Sequence, residues 1–208
     1  MLLTRMANAL YRAGSESKSE RVFPQNTYRP PTNVPYVVDN LWEWARPAAL
    51  PSRRTAIFAS PNPDEARATQ GNARTIFVRS VSGLPRGWKL AQHDSADAKT
   101  DPDVKILPKL IRELLKPDWF SLEMHDKAPE SQLFCPTLRS EEVSAILNAS
   151  KRLDADRIFQ AIRFWKERVH HIHYDEQQLL DSGEVFFEIP PEGILLEGTD
   201  PSENDALR

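Results

Sequence analysis

Three short stretches of this chain put polar residues where strands should end, and each carries a side chain suited to handling charge. Near the start, Tyr11-Arg12-Ala13-Gly14 sets an arginine beside a glycine. A guanidinium there can hold a phosphate or carboxylate through its planar fork; an exposed arginine that merely solubilises an edge is the plainer reading. In the middle, Ile57-Phe58-Ala59-Ser60-Pro61 brings a hydroxyl just after an aromatic ring. Late in the chain, Gly183-Glu184-Val185-Phe186-Phe187-Glu188-Ile189 carries two glutamates bracketing a phenylalanine. Period-2 alternation puts Val185, Phe187 and Ile189 on a core face and Glu184, Phe186 and Glu188 on the other. A carboxylate beside apolar groups can stabilise positive charge developing on a substrate. Solvated edge carboxylates are the alternative.

Other residue types invite chemistry with less support from their spacing. His93 and Asp94 form an acid-base pair only if something across space positions them, because adjacent side chains diverge. His170 and His173 share a face if they end a helix, but a metal needs further converging ligands, and no metal site is expected. Cys135, the single cysteine, lies between Phe134 and Pro136 and reads as a small buried hydrophobe.

The elements that must hold these groups follow from periodicity and breakers. Residues 8–15 and 74–81 read as strands, and residues 16–35, with four prolines, as a long loop. Asp39 or Asn40 is expected to cap a short helix carrying Trp42 and Trp44. Residues 55–59 form a buried strand that Ser60-Pro61-Asn62-Pro63 breaks, and Asp64 and Glu65 suit the first turn of the helix that follows. Residues 91–103 read as a polar loop. Leu107, Leu110, Ile111, Leu114 and Leu115 mark an amphipathic helix ended by Lys116-Pro117. A short helix at 141–150 with Ser140 as cap comes next. Ile158, Ile162, Trp165, Val169 and Ile172 then recur at helical spacing, and two strands joined by a Pro-Glu-Gly turn close the fold. This is an α+β pattern with flanking helices and long Pro-rich loops. We expect one domain over 1–197 and a frayed tail over 198–208.

Composition sets outer bounds. The chain has 208 residues, 40% apolar and 27% charged, with a net charge of -3, which suits a globular protein and argues against a generic nucleic-acid coat. No apolar run approaches the roughly 20 residues that span a bilayer, and one cysteine points to a reducing, cytoplasmic setting.

The three polar stretches, in their order, resemble the ADP-ribosyltransferase superfamily. YRAG at 11–14 is similar to the arginine-bearing first motif, AIFASPNPDEA at 56–66 to the aromatic, small, Ser-Pro segment before a helix, and Glu184 in GEVFFEIP to the late-strand glutamate. The resemblance implies a split β-sheet core and NAD as substrate. It also implies a catalytic Glu184 with Arg12, and a cofactor pocket drawn from Arg12, Tyr11, Phe58, Ser60 and Glu188. The acceptor would be a protein or nucleic acid, in a toxin, effector or defence protein that is cytoplasmic or delivered into a target cell, with an inhibitor or antitoxin as a further partner and no membrane. The Ser-Thr-Ser triplet of the arginine-bearing branch is replaced by Ala59-Ser60-Pro61, and no acidic residue stands two positions before Glu184, where Ser182 sits. Glu188 is the rival catalytic carboxylate. Two other readings stay open: a non-enzymatic interaction module using the Pro-rich loops and tryptophans, and an RNA phosphotransferase-like enzyme with Arg53, Arg54 and Arg74 along its cleft.

Overall fold

A computed structural model describes residues 9–15, 17–24, 28–29, 33–69, 76–128 and 130–198. Along the chain the elements are β1 (Tyr11–Gly14), β2 (Glu20–Val22), α1 (Tyr36–Ala45), β3 (Ile57–Ala59), α2 (Pro63–Ala68), β4 (Phe77–Ser82) and β5 (Lys89–His93). They continue with α3 (Asp103–Phe120), α4 (Ser140–Ala149), α5 (Ala155–Ala161), β6 (Val169–His173), β7 (Glu184–Phe187) and β8 (Ile194–Gly198). The chain divides into two units, one of residues 1–26, 55–97 and 170–208, the other of residues 27–54 and 98–169.

The first unit is built from two four-stranded sheets, ordered β1-β4-β8-β2 and β3-β7-β5-β6. All the strand registers described are antiparallel, so the protein is mixed α/β with antiparallel sheets. Tyr11 and Ser60 exchange both backbone hydrogen bonds, at 2.8 and 2.9 Å, which ties β1 to the chain just past β3. Ile57, Ala59, Val185 and Phe187 pack with Leu10, Val81, Leu90, Ile194 and Leu196 in one apolar core. The alternation expected of β7 is therefore realised on its core face. The two late strands do not form a hairpin: β7 lies between β3 and β5, while β8 lies between β4 and β2 in the other sheet. β2 occupies part of the expected 16–35 loop, and Gly198, expected in the tail, pairs with Arg79. The strand expected at 74–81 begins, among the described residues, at Phe77; Arg74 and Thr75 lie outside them, as do residues 199–208.

The second unit holds its helices around buried charge. Asp39 and Asn40 are not caps; Pro35 precedes the helix, and both side chains are buried within α1. Arg54 donates to Asp39 at 2.9 Å and to Asn40 at 2.7 Å, and Asn40 donates to the carbonyls of Leu133 and Cys135. α3 leaves helical geometry at Lys116, φ 62°, where the following proline disfavours the helical region. α4 begins at Ser140 with Arg139 in the capping position, one residue ahead of expectation. The long helix expected through Ile172 stops at Ala161. The amides of Arg163 and Phe164 donate to the Asp103 carboxylate, both at 3.0 Å, instead of to a preceding helical turn. A π turn follows at Phe164–Arg168, and the histidines fall on β6.

Candidate functional site

Register places the site. β3 and β7 pair Ile57 with Phe187, Phe58 with Phe186 and Ala59 with Val185, so the next step sets Ser60 opposite Glu184. On the other edge of β7, Glu184 pairs with His93 and Phe186 with Ala91. Tyr11 is bridged to Ser60. Opposed residues share a face, so Tyr11, Ser60, Glu184 and His93 form one transverse row on the side of the sheet away from the core. Phe58, Phe186 and Ala91 form the next row, with the two rings 6.0 Å apart.

Three members of this row are withdrawn from water, and Tyr11 is half-buried. Glu184 is 9% exposed, Ser60 4% and His93 1%. Glu184 is thus no solvated edge carboxylate; it stands on an interior strand, where an ionised group requires built-in partners. Its backbone is held from both sides. The Glu184 amide donates to the Ser95 carbonyl at 2.9 Å. The preceding Gly183 amide donates to Glu65 Oε2 at 2.8 Å. Gly183 has φ 107°, and a Cβ there would lie 2.2 Å from the His93 carbonyl oxygen, so this junction admits glycine alone.

Glu65 joins the row to the elbow. The same Oε2 accepts the Ser60 hydroxyl at 2.9 Å, and Ser60 Oγ in turn accepts the Asn62 amide at 3.1 Å. Asn62 caps α2 by accepting the Asp64 amide. Ser60 therefore fixes the strand-to-helix turn, with its hydroxyl engaged on both sides. By type alone Glu65 suits the first turn of the helix; its place five residues after Ser60, across the Pro-Asn-Pro break, is the sequence signal for this second role.

Arg12 approaches from β1. Its Nη1 donates to the Phe58 carbonyl at 2.8 Å, against the edge of β3. Strand alternation sets its Cβ on the opposite side from Tyr11, so Arg12 flanks the row instead of joining it. Across β4 it is paired with Arg79, a buried arginine held to Glu20 at 3.2 Å, which the sequence reading passed over. Glu188 lies four residues beyond Glu184, about 13 Å along the strand direction. It is exposed, and its carboxylate accepts from Thr55 at 3.4 Å, so it does not meet Ser60 or His93.

The remaining candidate residues have other partners. His93 and Asp94 are not partners: the His93 ring contacts the Ser95 backbone, and Asp94 meets His170 Nε2 at 2.6 Å. On a strand, His170 and His173 fall on opposite faces, which removes the shared helical face. His171 and His173 lie together instead, ring centroids 4.8 Å apart. Desolvation first, then the charges of His173 and Lys89, pushes the His171 imidazole below its ordinary value. Among the described residues no three His, Cys, Asp or Glu side chains converge as metal ligands. Cys135 is exposed, not buried. Arg54 is consumed by its buried pair with Asp39, and Arg53 stacks over Phe164 at 5.5 Å. No helix among the described residues is long and apolar enough to cross a membrane. The chain matches no family model, no curated protein and no solved structure.

Proposed function

We propose that the protein is an NAD-dependent ADP-ribosyltransferase acting on a macromolecular acceptor. The observation that carries the reading is the placement of Glu184: a buried carboxylate in register with Ser60, itself bridged to Tyr11, with Arg12 one strand away. The two antiparallel sheets tied at Tyr11 and Ser60 are in keeping with the split sheet of that superfamily.

The residue types suit the reaction. Breaking the bond between nicotinamide and ribose leaves oxocarbenium character at the ribose anomeric carbon, and the electron pair departs with nicotinamide. The Glu184 carboxylate stabilises that charge in a site poor in water. Phe58, half-buried and tilted 37° to the fully buried Phe186 ring, is the aromatic side chain of this row with area left for a nicotinamide ring. Arg12, whose Nη1 donates to the Phe58 carbonyl, is the guanidinium assigned to the diphosphate. Glu188, exposed and bonded to Thr55, is assigned no part in bond cleavage.

The test is transfer of label from NAD radiolabelled in its adenylate half, in the presence of cell lysate. Wild type should label a macromolecule, and Glu184→Ala, with an unchanged unfolding midpoint, should not. No label and no nicotinamide release from wild type would remove the proposal.

A further inference from the structure

We propose that His171 and His173 form a two-imidazole chelate for a divalent transition-metal ion, Cu2+ ahead of Zn2+, with water filling the remaining positions. The proposal stands apart from the transferase reading. The chain's five histidines divide into two groups. Three have polar partners: His93 at the Ser95 backbone, His125 at Asp126 and His170 at Asp94. Among the described residues no hydrogen bond or ion pair engages the rings of His171 and His173, and these two lie together, their centroids 4.8 Å apart.

That spacing suits a shared ion. An imidazole nitrogen binds such a metal at about 2.0–2.1 Å, and the ring centre lies about 1.15 Å behind it. Two rings on one ion, at nitrogen–metal–nitrogen angles between about 90° and 109°, therefore have centroids about 4.5–5.2 Å apart. The observed 4.8 Å falls inside that range, so binding asks for rotation of the rings and no movement of the strand.

β6 holds both Cβ atoms on one face. Residues two apart on a strand point the same way, and between them Ile172 turns into the core, 5% exposed. The strand is also secured at His173, whose amide donates to Gln177 Oε1 at 3.0 Å and whose carbonyl accepts the Glu176 and Gln177 amides, both at 3.1 Å. His171 is exposed and His173 half-buried, so an ion and its waters reach the pair from solvent. Imidazole suits copper and zinc, and for a given donor set Cu2+ binds more tightly than Zn2+. Besides His173, the charge that acts on His171 is that of Lys89, on the adjacent strand β5; it opposes an incoming cation.

The test is calorimetric titration of the tag-free full chain with CuCl2 and, separately, ZnCl2, in a buffer that binds neither ion. One ion per chain is expected. His171→Asn and His173→Asn should each weaken that site at least about tenfold, the loss that even an outer partner of a metal ligand causes. His170→Asn, altered on the other face, should change it by less than about threefold. Lys89→Gln should tighten it by no more than about fivefold, the size of an exposed charge interaction. With Cu2+ bound, the electron paramagnetic resonance spectrum should show two imidazole nitrogens in wild type and lose one in either histidine variant. Each variant is first shown to unfold at the wild-type midpoint, and glutamine replaces asparagine at a position where it does not. No binding by wild type, or unchanged affinity in both histidine variants, would overturn the chelate, and tighter binding of Zn2+ than of Cu2+ would overturn the stated order.

Discussion

Each unit of the molecule buries charge, but in different company. In the helical unit buried carboxylates face arginines: Asp39 meets the buried Arg54 at 2.8 Å, and Asp101 and Asp103 meet the half-buried Arg168 at 2.6 and 2.7 Å. Asp103 also takes the Trp42 indole N–H and two backbone amides. In the sheet unit, Glu65 is held by a hydroxyl and a backbone amide, and Glu184 stands opposite a histidine. The first arrangement is closed and serves to hold helices together. The second holds Glu65, on α2, by a hydroxyl and a backbone amide, and sets Glu184 at the start of an interior strand.

This contrast can be broken from the stability side first. Asp103→Ala strands a buried indole N–H and two backbone amides and leaves Arg168 with Asp101 alone, and should cost about 3–5 kcal/mol in urea unfolding; a loss under about 1 kcal/mol would mean the network is not closed. Glu65→Ala removes the shared acceptor of Ser60 and Gly183 and should cost about 1–3 kcal/mol, with Glu65→Gln retaining most of it because one amide oxygen can still accept both donors. Glu184→Gln should move stability by less than about 1 kcal/mol, in either direction, because the amide keeps the shape and one acceptor oxygen of the carboxylate.

The smallest effect is a pH dependence. His171 is held below its ordinary value, so the folded state resists its protonation. The unfolded chain then binds more protons in the window from the ordinary value of 6.5 downward, and stability falls as pH drops through it. His171→Gln should flatten the unfolding midpoint across that window. Asp39 has the opposite linkage: burial, outweighing Arg54, raises its carboxyl above 3.8. Its contribution is therefore greatest at acid pH and declines as pH rises above that value.

What was legible in the sequence was local. The alternation of Val185 and Phe187 gave the core face of β7, and Lys116-Pro117 marked the break in α3. Asn62 to Glu65 carried the turn chemistry of the elbow. What was hidden depends on distant partners. The 158–172 periodicity continues past Ala161, but the helix ends where Asp103, some sixty residues earlier, captures two amides. β5 looked like a loop because Gln92 is polar. In the fold its amide group is satisfied by the carbonyls of Leu180 and Ser182 and by the Leu180 amide. The row itself is a matter of register, which no stretch of sequence encodes alone: Glu184 was singled out for its type, and Ser60 and His93 became its neighbours only through strand pairing.

The most direct test of the account is the rate of nicotinamide release from NAD by wild type and by Glu184→Gln, measured with lysate present and with both proteins shown to unfold at the same midpoint. The account predicts measurable release by wild type and a fall of about 10²–10³-fold in the variant. Equal rates, or no release from wild type, would contradict it.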